Sequence, residues 1–272
     1  MACHQYGGKL KKAEYIMSDN ILTKLEDGIF YITINRLDKK NAITNEMYVA
    51  LISAVNEYEK NDDARVLLLS GDKMCFTAGN DMQGFLENPP VDDDSESPLF
   101  LKTISQAKKP LLAAVNGPVV GIGTTMLMHF DFVYAGKSAK FSMPFCNLGI
   151  CPEGGTTLLL PQVIGHKKAC ELIMFGESFD AQVAKECGFI NDYFDDDEYL
   201  DKLIAKAKKL ASQPASSIRL TKHMLKKHHA ADMVDALYYE GSEVRRSLKT
   251  PESREAMSAF TQKRRPDFSQ FN

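Results

Sequence analysis

The stretch Lys109-Pro-Leu-Leu-Ala-Ala-Val-Asn-Gly-Pro-Val-Val-Gly-Ile-Gly123 decides the fold. Its Leu111–Asn116 run reads as a buried strand, stopped at Asn116-Gly-Pro118. Gly121-Ile-Gly123 then opens an apolar helix expected over Ile122–Phe130. A strand, a glycine-rich turn and a helix would suit a dinucleotide fingerprint. However, the third glycine position holds Met126, and no acidic ribose ligand follows at the required distance. Working outward, Ile29–Asn35 alternates β-branched and aromatic residues and predicts a strand. Met47, Leu51, Val55 and Tyr58 recur at helical spacing behind Thr44, a suitable N-cap. Val66–Leu69 predicts another buried strand, and Phe132–Tyr134 and Lys140–Ser142 two more. Strand, strand, helix recurs without an exact internal repeat.

The remaining segments set the boundaries. Glu87–Pro98, ENPPVDDDSESP, is acidic and proline-containing and is expected to be a mobile surface loop. Beyond Pro161 the pattern turns almost wholly helical, with amphipathic, Lys-rich helices expected near 199–212, 215–229, 232–248 and 251–261. The fold class is therefore α/β: a core over 17–200 and a helical C-terminal region over 201–272. Residues 1–16 lack the continuous apolar stretch of a secretory signal and are set aside as an extension expected to be disordered.

Composition narrows the function classes. The chain has 272 residues, 33 Lys+Arg and 36 Asp+Glu, so its net charge of −3 argues against bulk nucleic-acid affinity. No apolar run approaches the roughly 20 residues needed to cross a bilayer. The six cysteines form no C-x-x-C pair, which disfavours a metal site and a disulfide framework. The terminal Phe268–Asn272 is not a peroxisomal S-K-L address, and the default expectation is the cytoplasm. Charge is unevenly spread: residues 201–272 hold 15 Lys+Arg against 8 Asp+Glu, and residues 1–200 hold 18 against 28.

Three glycine-rich segments sit where strands give way to helices: Phe76–Met82, Asn116–Gly123 and Asn147–Gly155. Glycine lets a backbone approach a ligand and offer its N–H groups, and two such groups can hold a developing oxyanion. Three ordinary tight turns would leave the same trace. The residues also form four ordered motifs: R-x-x-K-x-N-A (36–42), F-x-x-G-x-D (76–81), K-P-x-x-A-x-V-N-G-P-x-x-G (109–121) and L-G-x-x-P-E-G-G (148–155). Together they resemble the crotonase, or enoyl-CoA hydratase/isomerase, superfamily over residues 20–262. The resemblance implies a spiral of ββα units, a helical trimerisation tail and acyl-CoA thioester chemistry.

By that resemblance, the backbone N–H groups of Asn80 and Ile122 form an oxyanion hole, with Ile122 reshaping the acyl pocket. Family hydratases use two glutamates, and here those positions hold Thr125 and Phe145, neither of which ionises, so water addition loses its acid and base. Glu153 stands where peroxisomal-type Δ3,Δ2-enoyl-CoA isomerases carry their catalytic base. The implied substrate contacts run along Ala78, Gly79, Asp81 and Met82, with Gly121, Thr125 and Phe145 around the acyl part. Arg36, Lys39 and Lys40, with Lys263, Arg264 and Arg265 of the tail, are the cations available to CoA phosphates. On the residues alone, Asp81 is equally a loop-organising cap, Asn116 fixes its turn, His129 is a packed helix residue, and Lys226–His229 is a solvated face. The expected partner set is an acyl-CoA and other copies of the chain, as a homotrimer or hexamer, with no cofactor and no metal. Two alternatives stay open: another family enzyme such as a residual hydratase, and a non-catalytic acyl-CoA-binding module.

Overall fold

The computed structural model describes residues 13–72 and 74–271, with 13–18 described by their backbone. The strands β1 (Ala13–Ser18), β2 (Ile21–Glu26) and β3 (Ile29–Ile34) form an antiparallel meander. Strands β4 (Val66–Ser70), β5 (Leu111–Val115), β7 (Phe132–Gly136) and β10 (Asp192–Phe194) continue from β3 as a parallel array. Among the described residues these make a seven-stranded sheet in the order β1-β2-β3-β4-β5-β7-β10. A second sheet holds β6 (Pro118–Val120), β8 (Lys140–Ser142) and β9 (Phe179–Asp180). β5 passes to β6 and β7 to β8 through tight turns, so successive strands feed the large and small sheets in turn. This is the ββα spiral, closed by C-terminal helices.

Every residue of β4 and β5 is buried, as parallel strands covered on both faces must be. Their alternate side chains go to two different cores. Leu67, Leu69, Ala113 and Val115 face the main core with α1 (Asn45–Lys60) and α3 (Glu96–Ser105). Val66, Leu68, Leu112 and Ala114 face Tyr199, Leu203 and Ala207 of α8 (Tyr199–Ala211). α8 therefore belongs to the packing of the large sheet, and a boundary at residue 200 would cut the core. The helical tail proper begins with α9 (Ala215–Lys227), followed by α10 (Ala230–Ser247) and α11 (Pro251–Thr261).

Three other expectations change. β1 starts at Ala13, so the extension set at 1–16 is shortened by pairing with β2; residues 1–12 lie outside the described residues. Within 87–98, the acidic segment is pinned by an Asp93–Arg245 ion pair of 2.8 Å and runs into α3 at Glu96. The helix expected over 122–130 is one α turn, α4 (Ile122–Thr125), and then a 3-10 turn, Met126–His129. The segment must return the Asp131 N–H to the Leu111 carbonyl, and the greater rise of the 3-10 form covers that distance.

Lys109, the first residue of the deciding stretch, has a structural task. Its side chain is buried, and its ammonium donates to the carbonyls of Tyr58 (2.9 Å), Asn61 (2.8 Å) and Ala64 (3.2 Å). A cation with three donors thus satisfies carbonyls at and just beyond the C-terminus of α1. Lys222 of α9 donates to the Lys109 carbonyl (2.7 Å) and to Asp131 (2.6 Å), which docks the tail on the same spot. Lys109→Met should lower the unfolding free energy by about 3 kcal/mol, since it strands buried carbonyls that were paired to a charge. Urea denaturation at neutral pH measures this, and a loss under about 1 kcal/mol would show that water replaces the ammonium.

Candidate active site

The site is assembled by main-chain pairing around the small sheet. After β4 the chain turns, and Phe76 N–H donates to the Asn116 carbonyl (2.8 Å). Thr77 N–H then donates to Pro118 (3.1 Å), and Val120 N–H donates to Thr77 (3.1 Å), which sets Thr77 opposite Val119 in parallel register. Three residues further along both segments stand Asn80 and Ile122. On the other flank, Ile43 N–H donates to the Gly79 carbonyl and Asp81 N–H to the Ile43 carbonyl, both at 2.8 Å. In a parallel bridge these two bonds straddle Asn80, so its own N–H points away from Ile43. Neither that N–H nor the Ile122 N–H, the first of α4 (Ile122–Thr125), donates to a carbonyl among the described residues.

Glycine makes the approach close enough. Gly79 has φ +91°, and a Cβ there would lie 2.7 Å from the Val120 carbonyl oxygen. The side chain of Asn80 is anchored behind the site, its Oδ1 accepting from the Tyr48 hydroxyl of α1 at 2.5 Å. Asp81 caps α2 (Met82–Glu87) by accepting from Gly84 N–H (3.2 Å) and pairs with Arg36 at 2.6 Å. That pairing holds the Asp81 carboxyl below its ordinary range.

Glu153 reaches the site from the turn before α5 (Thr156–Ile164). Its Oε1 is buried without a hydrogen-bond partner among the described residues. Burial, reinforced by the nearby Glu240, raises its pKa to about 7. The cavity beside it is walled by Pro98 and Leu101 of α3 and by Val234, Leu237 and Tyr238 of α10, with Asp93 and Lys102 also lining it. The Tyr48 phenol that holds Asn80 also senses Glu153: burial first, then the Glu153 charge, keeps it well above the usual range for tyrosine. The two glycines after Glu153 both have positive φ, +77° and +74°. Beside them, the His129 ring bonds the Gly154 carbonyl at 2.8 Å.

The other residues named from the sequence divide. Ala78 N–H donates to the Lys40 carbonyl (2.9 Å), so Lys39 and Lys40 lie exposed on a loop stitched to the Ala78–Met82 segment. Arg36 is committed to Asp81 and to the Ala42 carbonyl (2.9 Å), which removes it from the free cations. Arg264 is likewise paired with Glu255 at 2.5 Å, while Lys263 and Arg265 are exposed. Gly121 opens α4 with φ +56°. Thr125 is fully buried with its hydroxyl turned to the Ile122 carbonyl, and Phe145 and the Ile122 side chain lie in the main core. None of these three side chains lines the cavity beside Glu153. The apolar side chains that line that cavity come from α3, which begins inside the acidic segment, and from α10 of the tail. The Asn116 amide makes no hydrogen bond; its turn depends instead on Gly117, where a Cβ would meet the Met74 carbonyl oxygen at 1.9 Å. Lys226, expected on a solvated face, is half-buried, and burial lowers its pKa to about 8.

The family model described as enoyl-CoA hydratase/isomerase matches residues 24–271. The chain belongs to this family. Among the family's members, it is 33% identical over 261 residues to 1,2-epoxyphenylacetyl-CoA isomerase of Escherichia coli (strain K12), covering 93% of this chain and 99% of the relative. It is 34% identical over 216 residues to human enoyl-CoA delta isomerase 2, covering 77% of this chain and 55% of that longer protein. A crystal structure of an enoyl-CoA hydratase/isomerase from Pseudoalteromonas atlantica T6c superposes with a TM-score of 0.87 at 35% identity, covering 92% of this chain and 99% of that one. No helix among the described residues is long and apolar enough to cross a membrane.

The raised Glu153 pKa has a consequence for folding. The folded chain keeps this proton up to about pH 7, whereas an unfolded chain releases it near 4.5. Between those values the unfolded state binds fewer protons, so this group's contribution to stability falls as pH rises, by on the order of 3 kcal/mol in all. Glu153→Gln should therefore unfold at higher urea than the parent at pH 8, with the advantage vanishing by pH 4. Equal midpoints at pH 8 would show that the carboxyl is already solvated.

Proposed function

We propose that this enzyme is a Δ3,Δ2-enoyl-CoA isomerase with Glu153 as its acid–base group. The observation that carries this reading is a buried carboxyl with an unpartnered oxygen on an apolar cavity, linked electrostatically to Tyr48, whose hydroxyl holds Asn80 beside its unspent N–H. In the proposed reaction the thioester oxygen accepts from Asn80 and Ile122 N–H. Glu153 removes a proton from C2, and the C2–H electrons form a dienolate across the thioester oxygen, C1, C2, C3 and C4. The same carboxyl returns the proton to C4, so the double bond moves from C3–C4 to C2–C3. Nothing is added or lost, and no cofactor is required by this balance. An apolar wall keeps water from the intermediate and holds the carboxyl in the range where it both takes and gives a proton.

The CoA portion is assigned to the Ala78–Met82 backbone, with Lys39 and Lys40 toward its phosphates. Lys263 and Arg265 are assigned to a neighbouring copy's CoA within a trimer or a hexamer. Thr125 and Phe145 replace the pair of carboxylates that water addition needs, which favours isomerisation over hydration. The 34% identity to human enoyl-CoA delta isomerase 2 supports this reading.

The test offers the purified protein 3-hexenoyl-CoA and crotonyl-CoA side by side. Isomerisation of the first is expected, without hydration of the second above background. kcat/KM should rise with pH through about 7, because the base must lose its proton before it acts. Glu153→Gln should lower kcat at least about 100-fold with little change in KM. A variant that keeps the parent rate removes Glu153 from the chemistry.

A further inference from the structure

Glu240 is a buried carboxylate that the proposed reaction does not use. It lies on α10, 3% exposed, in the helical tail. Its Oε2 accepts from the N–H groups of Gly155 (2.6 Å) and Thr156 (3.2 Å). Its Oε1 accepts from the Thr157 N–H (2.8 Å) and hydroxyl (2.6 Å). These groups belong to the start of α5, whose first N–H groups have no partner within the helix. The N-cap of α5 is Gly155, which has no side chain to serve them. Glu240 supplies that cap from 83 to 85 residues away, directly after the turn that carries Glu153.

We propose that Glu240 is a positioning residue of the acid–base site: by capping α5 it fixes the turn that carries Glu153 and holds a second carboxyl near it. The inference rests on the reading of Glu153 as proton carrier. Geometry separates the two carboxyls: Glu240 receives four donors, whereas Glu153 Oε1 receives none. Burial raises the Glu240 pKa and its four donors oppose that rise, so hydrogen bonding favours the charged form of Glu240 in a way that Glu153 Oε1 does not share.

The other titratable groups around Glu153 are neutral or occupied. On α1, the Tyr48 phenol is held protonated. After α4, burial lowers the His129 pKa to about 4, so the ring is neutral near pH 7 and its Nε2–H donates to Gly154. On α3, Lys102 is engaged by the Tyr238 hydroxyl of α10 (3.4 Å) and by Asp94 (3.9 Å). Asp93 is paired with Arg245. Of the groups around it, Glu240 is the charge that adds to burial in raising the Glu153 pKa.

The test titrates the Glu153 carboxyl directly, by difference infrared spectroscopy against Glu153→Gln, alongside the pH profile of isomerisation. In Glu240→Gln the carboxyl transition should move down by about one pH unit from about 7, and the acidic limb of kcat/KM should move with it. Thr157→Val, which keeps the charge and removes one donor, should leave the transition within about 0.3 unit of the parent. It also serves if Glu240→Gln does not fold: a downward move of a full unit in Thr157→Val would overturn the proposal, since packing and not charge would then govern Glu153. An unmoved transition in a folded Glu240→Gln overturns it equally. Because the infrared titration needs no turnover, it tests Glu240 even if Glu153→Gln stays active, an outcome that defeats only the proposed reaction.

Discussion

The site hangs on the two main-chain hydrogen bonds by which Thr77 grips Pro118 and Val120. They lock the end of one ββα unit to the small-sheet strand of the next, in register. From that register the neighbourhood of Asn80 and Ile122 follows by counting. The approach requires Gly79, and the Ile43 bridge turns the Asn80 N–H outward. Strand pairing, which stabilises most sheets without further consequence, here leaves two donors unspent at one place.

Against this rigid edge stands a carboxyl held by a different kind of force. Glu153 is shielded from water and receives no hydrogen bond at Oε1, a condition that would ordinarily be costly for a carboxylate. The structure meets the cost by leaving the group protonated up to about neutral pH, while the nearby Glu240 carboxyl is surrounded by four donors. One carboxyl is thereby kept adjustable and the other fixed. The two belong to chain segments that no short-range pattern connects.

How far the sequence was legible follows the same division. Features with a local cause could be read: the Thr44 cap, which accepts from Met47 N–H, and the buried runs of β4 and β5. The four C-terminal helices, α8 to α11, also lie within a few residues of their expected bounds. α3 was hidden by its acidic approach, although Ser97, Phe100, Leu101 and Ile104 form the buried stripe a helix needs. Arg36 looked like a free cation because its partner Asp81 lies 45 residues on. Tyr48 carries no sequence signal of its role, since only the tertiary fold brings its hydroxyl to Asn80. Glu240 gave no signal at all: a single glutamate in an amphipathic helix is indistinguishable from a solvated one until α5 is seen beneath it. The substitutions at Thr125 and Phe145 were visible, but their burial in the core came only from packing.

The dependence of an early turn on a late helix also orders events during synthesis. When the ribosome has delivered residue 195, every strand of both sheets has been made, along with Asn80, Ile122 and Glu153. One face of the large sheet is then still bare, because α8 has yet to arrive, and α5 begins with N–H groups that nothing accepts. The nascent chain at that stage displays an apolar surface suited to chaperones and a turn at Glu153 whose following helix is uncapped. A stop codon before residue 240 would thus yield a chain that contains Asn80, Ile122 and Glu153 and lacks the carboxylate that caps α5.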